Sequence, residues 1–177
     1  RVIAAGDGFG GEVERAIAAI VGTRRDPALV AAEVRAMRTM IAKEKGDADP
    51  WDLKLAAGGL TDLDFIAQAI TLAEAARHPS LIGLATPAVF AEAANAGLLD
   101  EADTRQLGAA HALFNDIFQW QRLTIEGPFD AATVSPAILQ RLAAAVGRPN
   151  AAVLLEDLNE TRHGVRVIFA RVLQPVR

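Results

Sequence analysis

The sequence predicts an all-α protein, a bundle of about seven helices joined by short connections. Two observations carry this prediction. Capping residues recur along the chain, several of them followed by Pro at the first helical position, and Gly follows several of the helical patterns. No alternating apolar and polar stretch of the kind that a β-strand needs is long enough to be useful. The composition, 51% hydrophobic and 23% charged residues, is typical of a globular domain.

The first three predicted helices follow an irregular lead-in over residues 1–11. The first helix spans 12–21 and places its apolar residues on one side: Val13, Ile17 and Ile20. Asp26 caps the second helix, which runs to about residue 44 with Pro27 at its first position. The third helix spans 61–77 and ends before a Pro, because the residue preceding Pro disfavours the α conformation.

The last four predicted helices each begin at a capping residue. These residues are Thr86, Asp100, Ser135 and Asn150. Gly97 and Gly147 end the fourth and the sixth helix, since Gly readily adopts the left-handed conformation found there. The fifth and seventh helices are the longest, with apolar residues recurring every three or four positions.

Composition excludes several classes of function. A net charge of −4 and a pI near 5.4 argue against a nucleic-acid partner or a membrane surface, which need clustered Lys and Arg. The absence of Cys excludes disulfides and thiolate metal sites and favours the cytoplasm. No two of the three His residues have zinc-ligand spacing, so no metal site is predicted. Because Arg1 is not an initiator Met and no signal region follows, we expect the chain to begin inside a longer protein.

Residues 52–68 form the most informative segment. Gly58 and Gly59 open the third helix, and such a pair permits unusual backbone angles or the close approach of a backbone or a ligand. Thr61 is the predicted N-cap, with Asp64 three residues later as its capping-box partner. Asp62 and Asp64 diverge by about 200° on a helix, so they make a poor pair of metal ligands. Capping is therefore favoured over metal binding.

This segment resembles the motif Asp-Leu-Lys…Gly-Gly-Leu/Ile-x-Asp-Ile-Glu-Phe-x-x-Gln of glutamine synthetase adenylyltransferases, bifunctional enzymes that add AMP to glutamine synthetase and remove it. Residues 33–38 resemble the Val-Arg-x-Met-Arg helix of that family, and residues 98–123 are similar to part of its C-terminal helical domain. In the family, each of two nucleotidyltransferase halves is followed by such a helical domain. The resemblance favours the C-terminal half, which transfers AMP from ATP to a tyrosine.

The resemblance implies a division of the chain and a set of cofactors and partners. Residues 1–25 would be a lead-in from a missing upstream nucleotidyltransferase domain, and residues 26–177 the helical bundle. The family's Mg²⁺ ligands belong to a Gly-Ser…Asp-x-Asp motif that this sequence lacks. The fragment is therefore expected to hold no catalytic residue and to bind neither Mg²⁺ nor ATP tightly. The implied partners are glutamine synthetase, a PII-type signal protein and the upstream domain.

Six residues match the motif and are predicted to face the nucleotide or the missing domain: Lys54, Gly58, Gly59, Asp62, Asp64 and Gln68. Lys54 would approach the phosphates, while the two Asp side chains would orient that Lys or waters around Mg²⁺. Asp64 replaces the commoner Glu, which shortens its reach, and residues 55–57 replace a loop that is usually polar, basic or Pro-containing.

Two alternatives stay open. The chain could be a non-catalytic module that docks glutamine synthetase or a PII-type protein, which an exposed apolar patch would favour. It could also be the helical domain of a related uridylyltransferase, although the Phe65-x-x-Gln68 continuation argues against that.

Other residues receive structural interpretations. Arg35 and Arg38 are expected on a solvated face, with phosphate binding as the alternative. The remaining group is expected to pack in or beside the core: Met37, Met40, Trp51, His111 and Trp120.

Overall fold

The computed structural model describes residue 6, residues 9–127 and residues 129–174, and every regular element in these ranges is helical. The seven α-helices there are α1 (Phe9–Val21), α2 (Pro27–Lys45), α3 (Leu60–Glu74), α4 (Thr86–Asn95), α5 (Glu101–Thr124), α6 (Pro136–Ala145) and α7 (Ala151–Val172). A short 3₁₀ turn, Pro79–Leu81, precedes α4. The all-α fold is thus confirmed. Most of the predicted lead-in lies outside the described residues.

Side-chain caps define where three of the helices begin. Asp26, Asp100 and Asn150 each accept a hydrogen bond from a backbone N–H in the first turn, at distances of 2.9, 2.7 and 2.9 Å. These caps are confirmed, and each supplies an acceptor to an N–H that has none within its helix. Ser135 occupies the N-cap position of α6 without a side-chain bond. The N-cap of α4 is Ala85 rather than Thr86.

Helix α3 is the centre of the bundle. It packs against α2, α4, α5 and α7, and α7 also packs against α5 and α6. The largest fully buried side chains come from α3, α4, α5, α6, α7 and the connections between them: Leu53, Leu63, Ile66, Leu81, Phe90, Leu107, Phe114, Ile117, Leu142, Leu154, Leu158 and Ile168. Burying each such side chain stabilises the fold by roughly 1.5–3 kcal/mol. Asp62, in the first turn of α3, is likewise fully buried.

Two residues of α2 do not face the bundle as predicted. Met37 and Met40 are each 46% exposed, so the prediction that they belong to the core or its edge is wrong. Trp51 is buried and Trp120 is partly buried against the core, as expected of packing residues. His111 is half-buried.

Helix α1 lies at the margin of the bundle. None of its residues is fully buried, and Phe9 and Ile20 are 62% and 65% exposed. The proposed division at residue 25 stays a prediction. Within the described ranges, no helix combines the length and the apolar character that crossing a bilayer requires.

Candidate functional site

The connection between α2 and α3 is a compact loop that folds back onto the start of α3. The Asp52 carboxylate accepts hydrogen bonds from the backbone N–H groups of Lys54 (3.0 Å) and Leu55 (2.8 Å). The first N–H groups of α3 in turn donate to carbonyl oxygens of this loop, at 2.9 Å to Leu53 and 3.1 Å to Lys54. The backbone on both sides of the motif is thereby held in place.

These loop carbonyls explain why the predicted cap of α3 is wrong. The helix begins at Leu60 with Gly59 in the N-cap position, and no side chain caps it. Because the loop carbonyls already accept the N–H groups of Leu60 and Thr61, a Thr61 side-chain cap is not needed. Asp64 likewise makes no capping box, since its carboxylate accepts a hydrogen bond from the Thr86 hydroxyl at 2.6 Å.

The two glycines allow backbones to come into direct contact. Gly58 has a φ of +82°, and a Cβ atom there would lie 2.8 Å from the carbonyl carbon of Arg162 on α7 and overlap its oxygen. A Cβ atom at Gly59 would lie 2.6 Å from the carbonyl oxygen of Leu53. Real Cβ atoms do not approach other atoms so closely, so both positions need Gly. Gly58 therefore shows both the unusual backbone angle and the close backbone approach foreseen for the pair, and Gly59 shows the close approach.

Asp62 is the centre of a buried polar cluster. Its side chain is wholly inaccessible, and its Oδ1 accepts a hydrogen bond from Nε of Arg38 on α2. Its Oδ2 accepts from the backbone N–H of Gly58 at 2.6 Å and from Nη1 of Arg166 on α7 at 3.1 Å. One carboxylate thus joins α2, the loop, α3 and α7. Charge-assisted bonds of this kind are among the stronger ones in proteins.

Arg38 departs from its predicted place on a solvated face. It is only 4% exposed, and besides Asp62 it donates from Nη2 to the carbonyl oxygen of Leu55 at 3.0 Å. That prediction was wrong because its Asp partner lies 24 residues away, beyond the reach of a local pattern. Arg35 is half-buried, and its Nη1 donates to the Leu173 carbonyl oxygen.

Arg162 on α7 also binds the loop between α2 and α3. Its guanidinium donates to the Pro50 carbonyl oxygen at 2.6 Å, to Oδ1 of Asn159 at 2.6 Å and to the Leu158 carbonyl oxygen at 3.2 Å. Burial lowers the pKa of Arg162 and the negative charge of Asp49 partly opposes that shift. Sequence reasoning missed Arg162 and Arg166. Two arginines four residues apart within the apolar pattern of the last helix were the available signal.

The six motif residues fall into two groups. Gly58, Gly59 and Asp62 are buried, whereas Lys54, Asp64 and Gln68 are exposed. Gln68 borders an open, mainly apolar cleft of about 610 Å³, which it shares with residues of α3 and α4, the turn between them and His111 of α5. Lys54, Asp64 and Gln68 are accessible to another domain. Gly58, Gly59 and Asp62 fix the backbone that carries these three side chains. Contact of any of the six with a nucleotide stays a prediction.

Direct binding of Mg²⁺ does not fit this segment. Both oxygens of Asp62 already accept bonds from N–H donors, two of them on positively charged arginines. The exposed Asp64 accepts a hydrogen bond from Thr86, and the described ranges contain no cluster of three or more His, Cys, Asp or Glu that could hold a metal.

A model of one protein family matches most of this helical bundle. The family is described as GlnD PII-uridylyltransferase, and the match spans residues 34–173, from α2 to the end of α7. The chain belongs to this family. The matched range includes the loop, the Gly pair and every arginine of the Asp62 cluster.

Curated relatives extend the likeness over nearly the whole chain. A protein of Xanthobacter autotrophicus is 42% identical over 174 residues, one of Rhodopseudomonas palustris strain BisB5 is 38% identical over 173, and one of Bradyrhizobium diazoefficiens is 37% identical over 174. Each comparison covers 98% of this chain but only 18% of the relative. All three are named bifunctional glutamine synthetase adenylyltransferase/adenylyl-removing enzyme, which confirms the resemblance inferred from the motif.

Proposed function

We propose that this member of the GlnD PII-uridylyltransferase family serves as the helical domain of an enzyme that transfers AMP from ATP to a tyrosine of glutamine synthetase. The observation that carries the proposal is 42% identity over 98% of the chain to a relative named for this activity. In this proposal, Mg²⁺ and ATP bind to a nucleotidyltransferase domain of the parent enzyme, in the cytoplasm. The chain then contributes positioning and closure rather than a catalytic residue.

The geometry of the loop supports a role in presenting Lys54. The backbone N–H of Lys54 donates to Asp52 at 3.0 Å and its carbonyl accepts from Thr61 at 3.1 Å, while its side chain is exposed. A flexible cation on a fixed backbone suits electrostatic contact with a phosphate chain. The buried Asp62 cluster keeps this loop attached to α7, so Lys54 would be placed by the fold.

The test is the Lys54→Ala variant of the parent enzyme, assayed for AMP transfer to glutamine synthetase. We expect turnover to fall at least about tenfold, in line with loss of one electrostatic contact to the transferring group. Lys43→Ala, which alters an exposed Lys near the end of α2, is the matched control. Equal unfolding temperatures of the three proteins would separate function from folding. Unchanged turnover of Lys54→Ala would refute the role of Lys54.

The family description raises uridylyl transfer as an alternative reaction. The parent enzyme should therefore be assayed with ATP and glutamine synthetase and, in parallel, with UTP and a PII-type protein. We expect AMP transfer alone, because the relatives that match 98% of this chain are named for it. UMP transfer to the PII-type protein would replace the proposed reaction with the one in the family description.

Docking of a protein partner is a second candidate function, favoured by one surface feature. Leu29, Met37 and Met40 on α2 are 57%, 46% and 46% exposed and lie within about 80° of one another around the helix. Such a face suits glutamine synthetase or a PII-type protein. The double variant Met37→Ser/Met40→Ser should weaken binding of that partner to the parent enzyme. Retained binding would remove this candidate and leave the first one untouched.

A further inference from the structure

A small cleft between α2 and the end of α7 is rich in arginine. It has a volume of about 310 Å³, within the range of small-ligand sites. Its polar lining consists of Arg35, Arg38, Thr39, Arg166 and Gln174. No carboxylate lines it among the described residues. Three guanidinium groups therefore border one cavity without an acid inside it.

Arg38 carries an unused donor at this cleft. Its Nε and Nη2 are bonded to Asp62 and to the Leu55 carbonyl, but its buried Nη1 has no hydrogen-bond partner among the described residues. Leaving a buried donor unpaired is unfavourable, and more so for a charged group. This side chain is 4% exposed, so a bulk-water shell cannot satisfy it. Arg38 therefore borders the cleft with a positive charge that its own contacts leave without a full set of acceptors.

The local charge indicates the class of that acceptor. Arg35, Arg38 and Arg166 contribute three positive charges, and the buried Asp62 between two of them contributes one negative charge. Asp47 lies 3.7 Å from Nη2 of Arg38 and offsets a second positive charge, although Asp47 lines a different cavity. The balance is still positive. A phosphate group, with a charge of about −1.5 to −2 and several acceptor oxygens, complements it.

The other two arginines are positioned in advance. The Arg166 guanidinium stacks over the Phe169 ring, 4.7 Å from its centroid, while its Nη1 is held by Asp62. Arg35 is anchored through Nη1 to the Leu173 carbonyl. The Arg166 side chain is 42% exposed, so part of its donor set remains accessible. Guanidinium groups fixed in this way lose little conformational freedom on binding an oxyanion.

The geometry points to a binding site for a phosphate group in this cleft, formed by Arg35, Arg38 and Arg166. The inference is independent of the proposed function, because it rests on the α2–α7 arginines and involves neither Lys54 nor AMP transfer. The phosphate could belong to inorganic phosphate or to a phosphorylated small molecule. The chemistry that the cleft recognises is the same for both.

The test is calorimetric titration of the 177-residue chain with sodium phosphate at constant ionic strength, together with the unfolding temperature in the same buffers. We expect saturable binding of one phosphate and a rise in unfolding temperature that chloride at equal ionic strength does not produce. Arg35→Gln and Arg166→Gln should each weaken binding at least about tenfold, because each removes a charged donor. Arg38 is left unchanged because it is buried against Asp62, whereas Arg166, which also donates to Asp62, is 42% exposed. A parallel titration with adenosine monophosphate distinguishes a free phosphate from one carried by a larger molecule.

The control and the contrary outcomes are specific. Arg105→Gln alters an arginine whose side chain is 72% exposed on α5, and it should bind phosphate like the unaltered chain. An equal effect of all three substitutions would show nonspecific charge attraction and overturn the site. If neither sodium phosphate nor adenosine monophosphate binds saturably, the site is overturned as well. Equal stabilisation by sodium acetate would overturn the assignment to phosphate.

Discussion

The backbone at Gly58 lies directly against the backbone of Arg162. A Cβ atom at Gly58 would be 2.8 Å from the Arg162 carbonyl carbon and 2.9 Å from its Cα. The Arg162 side chain meanwhile donates to the Pro50 carbonyl in the same loop. The loop that carries the motif is thus attached to α7 through both main chain and side chain, and its stability can be tested one contact at a time.

Gly58→Ala should destabilise the chain by about 3 kcal/mol or more. The positive φ is unfavourable for Ala by roughly 1–2 kcal/mol, and the overlap with the Arg162 backbone adds to it. Gly147→Ala is the matched control, since Gly147 has a φ of +73° but no atom within 4 Å of its Cβ position. Chemical denaturation measures the free energy of unfolding of both variants. Equal destabilisation by the two substitutions would contradict the close contact.

Asp62→Asn should lower the free energy of unfolding by about 3 kcal/mol. The substitution keeps the shape of the side chain but removes the charge that compensates the buried Arg38 and the half-buried Arg166. Asp64→Asn, on the exposed side of the same helix, should change stability by less than about 0.5 kcal/mol because its amide oxygen can still accept from Thr86. If urea denaturation shows the two variants to be equally stable, the buried cluster is not what holds the loop.

Arg162→Met should loosen the loop more than it loosens the bundle. It deprives the Pro50 carbonyl of its Arg162 donor, which is unfavourable by about 1–3 kcal/mol. Hydrogen exchange should accelerate most for the amides of residues 51–59. Arg141→Met, at an exposed position of α6, should leave their exchange unchanged. Uniform acceleration throughout the chain would indicate global unfolding instead of local release.

Gly108→Ala should stabilise the chain by about 0.5–1 kcal/mol. Gly108 lies within α5 with no atom within 4 Å of its Cβ position, so Ala gains helix propensity without a clash. Gly164→Ala in α7 should gain less, because its Cβ would overlap the amide of Gln106, an exposed and flexible side chain that can move. Thermal unfolding compares the two. A loss above about 1 kcal/mol at Gly164 would show that Gln106 cannot yield.

Local signals predicted the helix starts at Asp26, Asp100 and Asn150 because a cap and the N–H that it accepts lie within three residues of each other. The start of α3 was mispredicted for the opposite reason. Its first N–H groups are satisfied by carbonyls of a loop seven residues before them, and a capping pattern at Thr61 carries no information about that loop.

The family could be inferred from the chain alone, since the motif is a set of residue types at fixed spacing, and relatives 37–42% identical to the chain carry the name it indicated. The order and approximate bounds of the helices could be read as well, because capping and apolar periodicity are local. Which polar residues lie inside was decided only by the tertiary structure. On α2, Arg38 is buried and Met37 is exposed, because the packing of α3 brings Asp62 beside Arg38. A buried charge is tolerated only beside its partner, and only the packing of α2, α3 and α7 determines which partner that is.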